Sequence, residues 1–168
     1  MKQTLKYILQ FVLENVKISE TKHSVTIALN GAIIALSLTF LSNNNQLVRY
    51  LNWSVLFFCG ISIIISFFAL HSRNVRVKNK FKSTQNKNLL YYKNLSTMSS
   101  EELLTNVITY YDFPQTYKPD NFDLDLAITI IANSKVVEVK NKLFNRSTFF
   151  SVVGIIFALF MFAFVGLS

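Results

Sequence analysis

Charge is missing from three long stretches of this chain. No Lys, Arg, Asp or Glu occurs in Val25 to Leu41, Leu51 to Leu70 or Thr148 to Leu167. Cysteine is nearly missing too. Cys59 stands alone, so no intrachain disulfide can form and the redox compartment is not readable. Its place inside the second run suits a small apolar packing residue. The four glycines are scattered through the apolar runs, which leaves no glycine-rich loop to cradle a phosphate. His23 and His71 flank apolar runs and have no metal-ligand spacing with a cysteine. No Ser, His and Asp cluster can be argued from spacing. The expectation is therefore no enzyme, no cofactor and no metal.

What remains is a membrane protein. Each run is close to the ~20 apolar residues that a helix needs to cross a bilayer. The fold class expected is all-α and membrane-embedded, with three transmembrane helices and a small helical cytoplasmic region. The divisions are an amphipathic helix over 1–22, spans over 23–42, 51–71 and 148–167, and a cytoplasmic segment over 72–147. The first run begins too far into the chain for a signal peptide, and no small-residue cleavage pattern follows it.

Basic residues set the orientation. Of seventeen Lys and Arg, four lie at or before Lys22, Arg49 alone lies between the first two runs, and twelve lie between His71 and Ser147. Positive charge near span ends stays inside. The N-terminus and the 72–147 segment are expected in the cytoplasm, the Asn43–Gln46 loop outside and Ser168 at the outer face. Tyr50 and Trp53 beside Arg49 suit an interface. The same bias explains the net charge of +8 without nucleic acid.

Before the first run, Leu5, Ile8, Leu9, Val12, Leu13 and Val16 recur at helical spacing, with Lys2, Gln3, Lys6, Gln10, Glu14 and Lys17 opposite. This face can lie on the inner leaflet, pack on the cytoplasmic segment or lead straight into the first run. Packing on protein is favoured. Within the runs, Ala28 and Ala32, Gly31 and Ala35, Ser62 and Ser66, and Gly154 and Ala158 are four apart, a spacing that lets helices approach closely in lipid. Asn30 needs a hydrogen-bond partner, most simply on another helix.

The cytoplasmic segment opens with Arg73, Arg76, Lys78, Lys80 and Lys82, a flank that suits lipid headgroups. Ser83 to Asn88 reads as a turn and Leu89 to Tyr92 as a short apolar patch. Ser99 with Glu102 makes a capping box, and its helix must end before Pro114. A second helix starts near Asp120 or Asn121. No Gly or Pro interrupts it before Val153, so it should continue as a long rod into the third run. Thr129, Asn133 and Lys140 share a face of it, and Glu138 with Lys142 makes an i,i+4 pair.

The order of these parts resembles the membrane effectors of the Pycsar anti-phage systems. Ser19-Glu20-Thr21-Lys22-His23-Ser24 before Leu29-Asn30-Gly31-Ala32 resembles a family stretch that usually has Asp where Glu20 stands and a small residue where His23 stands. Asn88 to Tyr92 followed by Ser99 to Leu103 is similar to the family's aromatic segment and the acidic helix after it. Asp125-Leu126, Asn133-Ser134 and Lys140 resemble its cytoplasmic helix. The resemblance implies a defence effector of the bacterial inner membrane. It implies a partner cyclase that makes cUMP or cCMP, and abortive infection through membrane damage; small residues on the spans and the polar Asn30 separately point to a homo-oligomer. A phosphodiester needs cations and hydrogen bonds, and a base needs an aromatic wall. Lys22, Arg76, Lys78, Asn133, Ser134 and Lys140 are candidates for the first, and Tyr91 and Tyr92 for the second. Ala28, Asn30, Gly31, Ala32, Ala35, Gly154 and Ala158 are candidates for helix packing. Two rival readings are an effector gated by a cyclic oligonucleotide and a small channel or envelope-stress protein with no nucleotide ligand.

Overall fold

A computed structural model describes residues 1–41, 45–71, 88–114 and 116–166. Among these residues five helices follow one another: α1 (Lys2–Leu38), α2 (Gln46–His71), α3 (Tyr92–Leu95), α4 (Ser100–Tyr110) and α5 (Asn121–Gly166). No strand occurs among the described residues. The basic cluster from Arg73 to Lys82 and most of the turn expected over Ser83 to Asn88 lie outside them, as do Asn43, Asn44 and Gln115.

Local signals account for the helix ends. Ser99 accepts a hydrogen bond from the Glu102 backbone at 3.1 Å and so starts α4. Asp112 ends it at φ 49°, a left-handed conformation that Asp tolerates through its short polar side chain. The Phe113 amide then donates back to the Ile108 carbonyl at 3.1 Å, closing the last turn. At α5, Asp120 accepts from the Asp123 amide at 2.9 Å, and Asp123 accepts from the Asp120 amide at 3.3 Å. This is a reciprocal cap built from two aspartates.

The chain divides into two compact units. The first holds Met1–Ser19 and Ser72–Lys140, the second Glu20–His71 and Asn141–Ser168. In the first unit, Leu5, Ile8 and Val12 of α1 are fully buried among Leu95, Leu103, Val107, Ala127 and Ile130. The apolar face of the N-terminal helix is thus spent on protein. Burying each such side chain contributes about 1.5–3 kcal/mol.

The second unit is built the other way round. Its interior mixes small polar residues with Val48, Val55, Cys59 and Met161, and many of its large apolar side chains face outward. Asn30, Ser37, Asn52, Ser62, Ser66, Ser147 and Ser151 are all at most 5% exposed. Phe57, Phe67, Phe68, Phe149 and Leu159 are each more than 60% exposed. Asn30 Nδ2 donates to Ser62 Oγ at 3.1 Å, and Ser151 Oγ donates to Asn30 Oδ1 at 3.0 Å. One amide therefore joins α1, α2 and α5. Ser62 Oγ also reaches the Ser147 carbonyl at 2.9 Å, and Ser66 and Ser147 share a bond at 2.6 Å. Elsewhere between α1 and α2, Ser37 Oγ donates to Asn52 Oδ1.

The number of candidate spans differs from the expectation. Among the described residues, two helices, α2 and the stretch Asn121–Val165 of α5, are long and apolar enough to cross a bilayer, not the three expected. Only 28% and 22% of their apolar windows are buried within the chain. The core helix of a soluble protein would bury most of that surface, so these faces suit lipid. The expected first span over 23–42 belongs to α1, which ends at Leu38. Its apolar part is shortened by that early end and diluted by Thr26 and Asn30, with Lys22 and His23 at its start.

Gly154 lets α5 approach α2 closely in the second unit. A Cβ there would stand 2.6 Å from Cys59 Sγ and 3.4 Å from the Cys59 backbone nitrogen. Gly154→Ala should destabilise the bundle by about 1–3 kcal/mol, as overpacking does. Adding Cys59→Ala removes the obstructing sulfur and should recover most of that loss. Thermal unfolding of the four species in detergent measures the coupling. In the same assay, Asn30→Leu should lose about 0.6–1.7 kcal/mol, the range for interhelical hydrogen bonds in membranes.

Candidate functional site

The polar chemistry of the first unit gathers on α3 and α5. Tyr91 sits in extended backbone just before α3, and its ring lies 5.1 Å from that of Tyr92 at 55°. Tyr91 is 44% exposed and Tyr92 half-buried. The C-terminal end of α3 anchors the pair. Leu95 is fully buried, and Ser96 Oγ donates to Glu138 Oε2 at 2.6 Å. A one-turn helix is thus pinned at its far end by a core residue and a charge-assisted bond. The two phenol rings then offer a supported aromatic surface to solvent.

On α5, the expected residues divide sharply. Asn133 Nδ2 donates to the Thr129 carbonyl at 2.9 Å, and Ser134 Oγ to the Ile130 carbonyl at 2.8 Å. Both side chains are occupied by their own helix, and Ser134 is fully buried. Lys140 is 1% exposed and is the largest fully buried side chain among the described residues. An ammonium taken out of water at such a position is costly to keep unless other groups engage it. Lys140 is so engaged. In the second unit, Lys22 is exposed, with Nζ 5.6 Å from the centre of the Phe144 ring. The buried His23 meets the same ring edge-on at 5.6 Å. Arg76 and Lys78 lie outside the described residues.

The packing candidates divide as well. Asn30, Gly154 and Ala158 are enclosed by the three helices of the second unit. Ala28, Ala32 and Ala35 are not buried, and a Cβ on Gly31 would meet nothing within 4 Å.

Two features escape a reading of the sequence. Glu138 pairs with Ser96, which is 42 residues away, so no local spacing signals it. The α5 start is also more elaborate than its two acids suggest. Lys2 Nζ lies 2.7 Å from Asp120 Oδ2, and Tyr117 OH donates to Asp123 Oδ2 at 2.8 Å. Lys2 and Lys6 both lie over the Phe122 ring, at 5.4 and 5.9 Å. The hydrogen bond and charge of Lys2 hold the Asp120 carboxyl below its ordinary range, and Asp120 raises Lys2 in return. Its bond to Asp123 raises Tyr117. Among the described residues, no group of three or more His, Cys, Asp and Glu could hold a metal ion.

These features define a helical membrane protein that carries a lipid-facing bundle and a separate helical unit with its own core. The chain belongs to the Pycsar effector protein domain family, whose model matches residues 4–167. It is thus a membrane effector of Pycsar anti-phage defence. No curated protein and no solved structure matches it. The family is one of effectors and not of known catalysts.

The Lys2–Asp120 pair gives a pH test. The folded carboxyl titrates below its ordinary range, so its stabilisation is present above that range and is lost as pH falls through the depressed value. Lys2 is raised, so its share is full below the ordinary lysine range and is lost as pH rises through the raised value. Melting curves of wild type and Asp120→Asn should therefore differ across neutral pH and converge at both extremes. A constant gap would mean that capping, and not charge, supplies the difference.

Proposed function

We propose that this effector responds to a cyclic pyrimidine mononucleotide, cUMP or cCMP, made by a partner cyclase. The response impairs the inner membrane and ends in abortive infection. The observation that carries this reading is the family match over nearly the whole chain, together with a bundle whose aromatic surface faces outward. Nucleotide signalling needs a polar unit outside the lipid, and the first unit has a core of its own to serve as one.

Within the first unit, Tyr91 and Tyr92 are the best candidates for stacking on the base, because their rings are paired and reachable. Lys140 is the cation we assign to ligand response. Its burial makes it a group whose partners must change when the unit rearranges. Asn133 and Ser134 rank lower, because their polar atoms already serve the helix. Lys22, Arg76 and Lys78 stay in the proposal as surface or flanking cations. We place the basic ends of the spans in the cytoplasm, following the excess of Lys and Arg there. The uncovered Ala28, Gly31, Ala32 and Ala35 on α1 support a homo-oligomer, since small residues admit a close second helix.

Purified protein should be screened for binding of cyclic mono-, di- and trinucleotides, and for dye release from vesicles on their addition. Binding of cUMP or cCMP with triggered leakage is expected. Binding of an oligonucleotide alone would favour the rival ligand class, and leakage with no nucleotide dependence would favour a plain channel. Lys140→Met keeps an unbranched stem without the charge and should weaken nucleotide binding by at least about tenfold, or about 1.4 kcal/mol. Tyr92→Ala should weaken binding and leave vesicle insertion unchanged.

A further inference from the structure

We propose that the start of α2 is a binding site for the headgroup of a net-anionic phospholipid. Gln46, Arg49, Tyr50 and Trp53 line a hollow of ≈ 170 Å³ there. Their spacing of three, four and seven residues places them on one face of the helix. The opposite face, with Val48, Asn52 and Val55, is buried in the bundle. Tyr50 and Trp53 are 72% and 61% exposed, so the hollow opens outward from the protein. The helix end itself is already capped: Asn45 Oδ1 accepts from the Leu47 amide at 3.0 Å. Side chains, and not free backbone amides, therefore make this site.

Among the described residues of its unit, no Asp or Glu stands near Arg49. Glu20 is the only acidic residue in the second unit. The bond between Ser37 and Asn52 sets α1 and α2 level near Arg49. Glu20 lies about 25 Å down α1 from Ser37, at about 1.5 Å per residue. Among the described residues, no carboxylate is paired with the Arg49 guanidinium. A planar guanidinium next to an indole N–H, a phenol and an amide suits a phosphodiester.

The surface below the hollow favours a lipid over a free phosphate. Phe57, Ile64 and Phe67 continue the same face of α2 and are exposed. Gly60 falls between them, and a Cβ added there would meet nothing within 4 Å. The face is thus an apolar strip with an open notch, headed by one cation. A phosphate ion would use only the head of it. A phospholipid would use the whole, with its headgroup on Arg49 and an acyl chain along the strip.

Trp53 is the chain's only tryptophan, so its fluorescence reports on this hollow alone. The protein should be reconstituted in vesicles of phosphatidylcholine and phosphatidylglycerol, with bromine on the chains of one lipid at a time. Bromine quenches only an adjacent indole. Phosphatidylglycerol should be preferred next to Trp53 by about fivefold, the effect of one arginine near an anionic surface. Arg49→Gln should bring the ratio to one, and Arg49→Lys should keep part of it. High salt should reduce the preference in the unaltered protein, which tests the idea without any variant. Equal quenching by both lipids in wild type would overturn the proposal, as would a preference that survives Arg49→Gln. A preference abolished by inorganic phosphate, with a phosphate-induced shift of Trp53 emission in lipid-free detergent, would reassign the site to a free anion.

Discussion

An amide in an apolar bundle has to find its hydrogen bonds inside the protein, and Asn30 finds them on two other helices. Its nitrogen reaches Ser62 on α2, and its oxygen receives the Ser151 hydroxyl of α5. The alternative is an unsatisfied group in a medium without water, which costs several kcal/mol. That constraint fixes which faces of the three helices meet. Once Asn30, Ser62 and Ser147 face inward, helical geometry turns Phe57, Phe67 and Phe149 outward. The lipid-facing surface is thus a consequence of the polar interior.

Small size matters as much as polarity. Gly154 stands against Cys59, and Ala158 is buried beside it. Serine, alanine and glycine let α2 and α5 come close enough for side-chain hydroxyls to bond across the gap. In lipid, close packing replaces the hydrophobic drive that assembles the first unit. There Leu5, Ile8, Val12 and their partners form an ordinary apolar core. One chain therefore uses two different cohesive forces, one in each unit.

Legibility in the sequence stops where local encoding stops. The Ser99 and Glu102 cap, the end of α4 before Pro114 and the unbroken α5 follow from neighbours a few residues apart. The apolar face of Leu5, Ile8 and Val12 is legible in its period, and its placement on protein requires only a choice among three partners. Tertiary partners are not legible. Asn30 announces that it needs a bond but not that Ser62 and Ser151 supply it. Glu138 stands four residues from Lys142, and its carboxylate also receives the distant Ser96. Thr129, Asn133 and Lys140 share a helical face by spacing, yet one is exposed, one half-buried and one buried. Burial there depends on which segments lie over α5, and no single-helix pattern contains that. The first apolar run falls short as a candidate because absence of charge is not the same as apolar length. Asn30 and Thr26 turn inward from it, and α1 stops at Leu38.

Serine at these helix contacts has a mechanical consequence. Ser62 Oγ already lies within bonding distance of Asn30 and of both Ser147 oxygens. A hydroxyl on a helix can also turn to its own preceding carbonyl, as Thr26 does to Lys22 at 2.9 Å. A short slide or rotation of one helix would therefore let the serine hydroxyls exchange partners and stay bonded themselves. A leucine-packed seam must lift its side chains out of their holes before it moves. This seam can pass from one register to the next through a series of bonded states, so its alignment is specific and its friction is low.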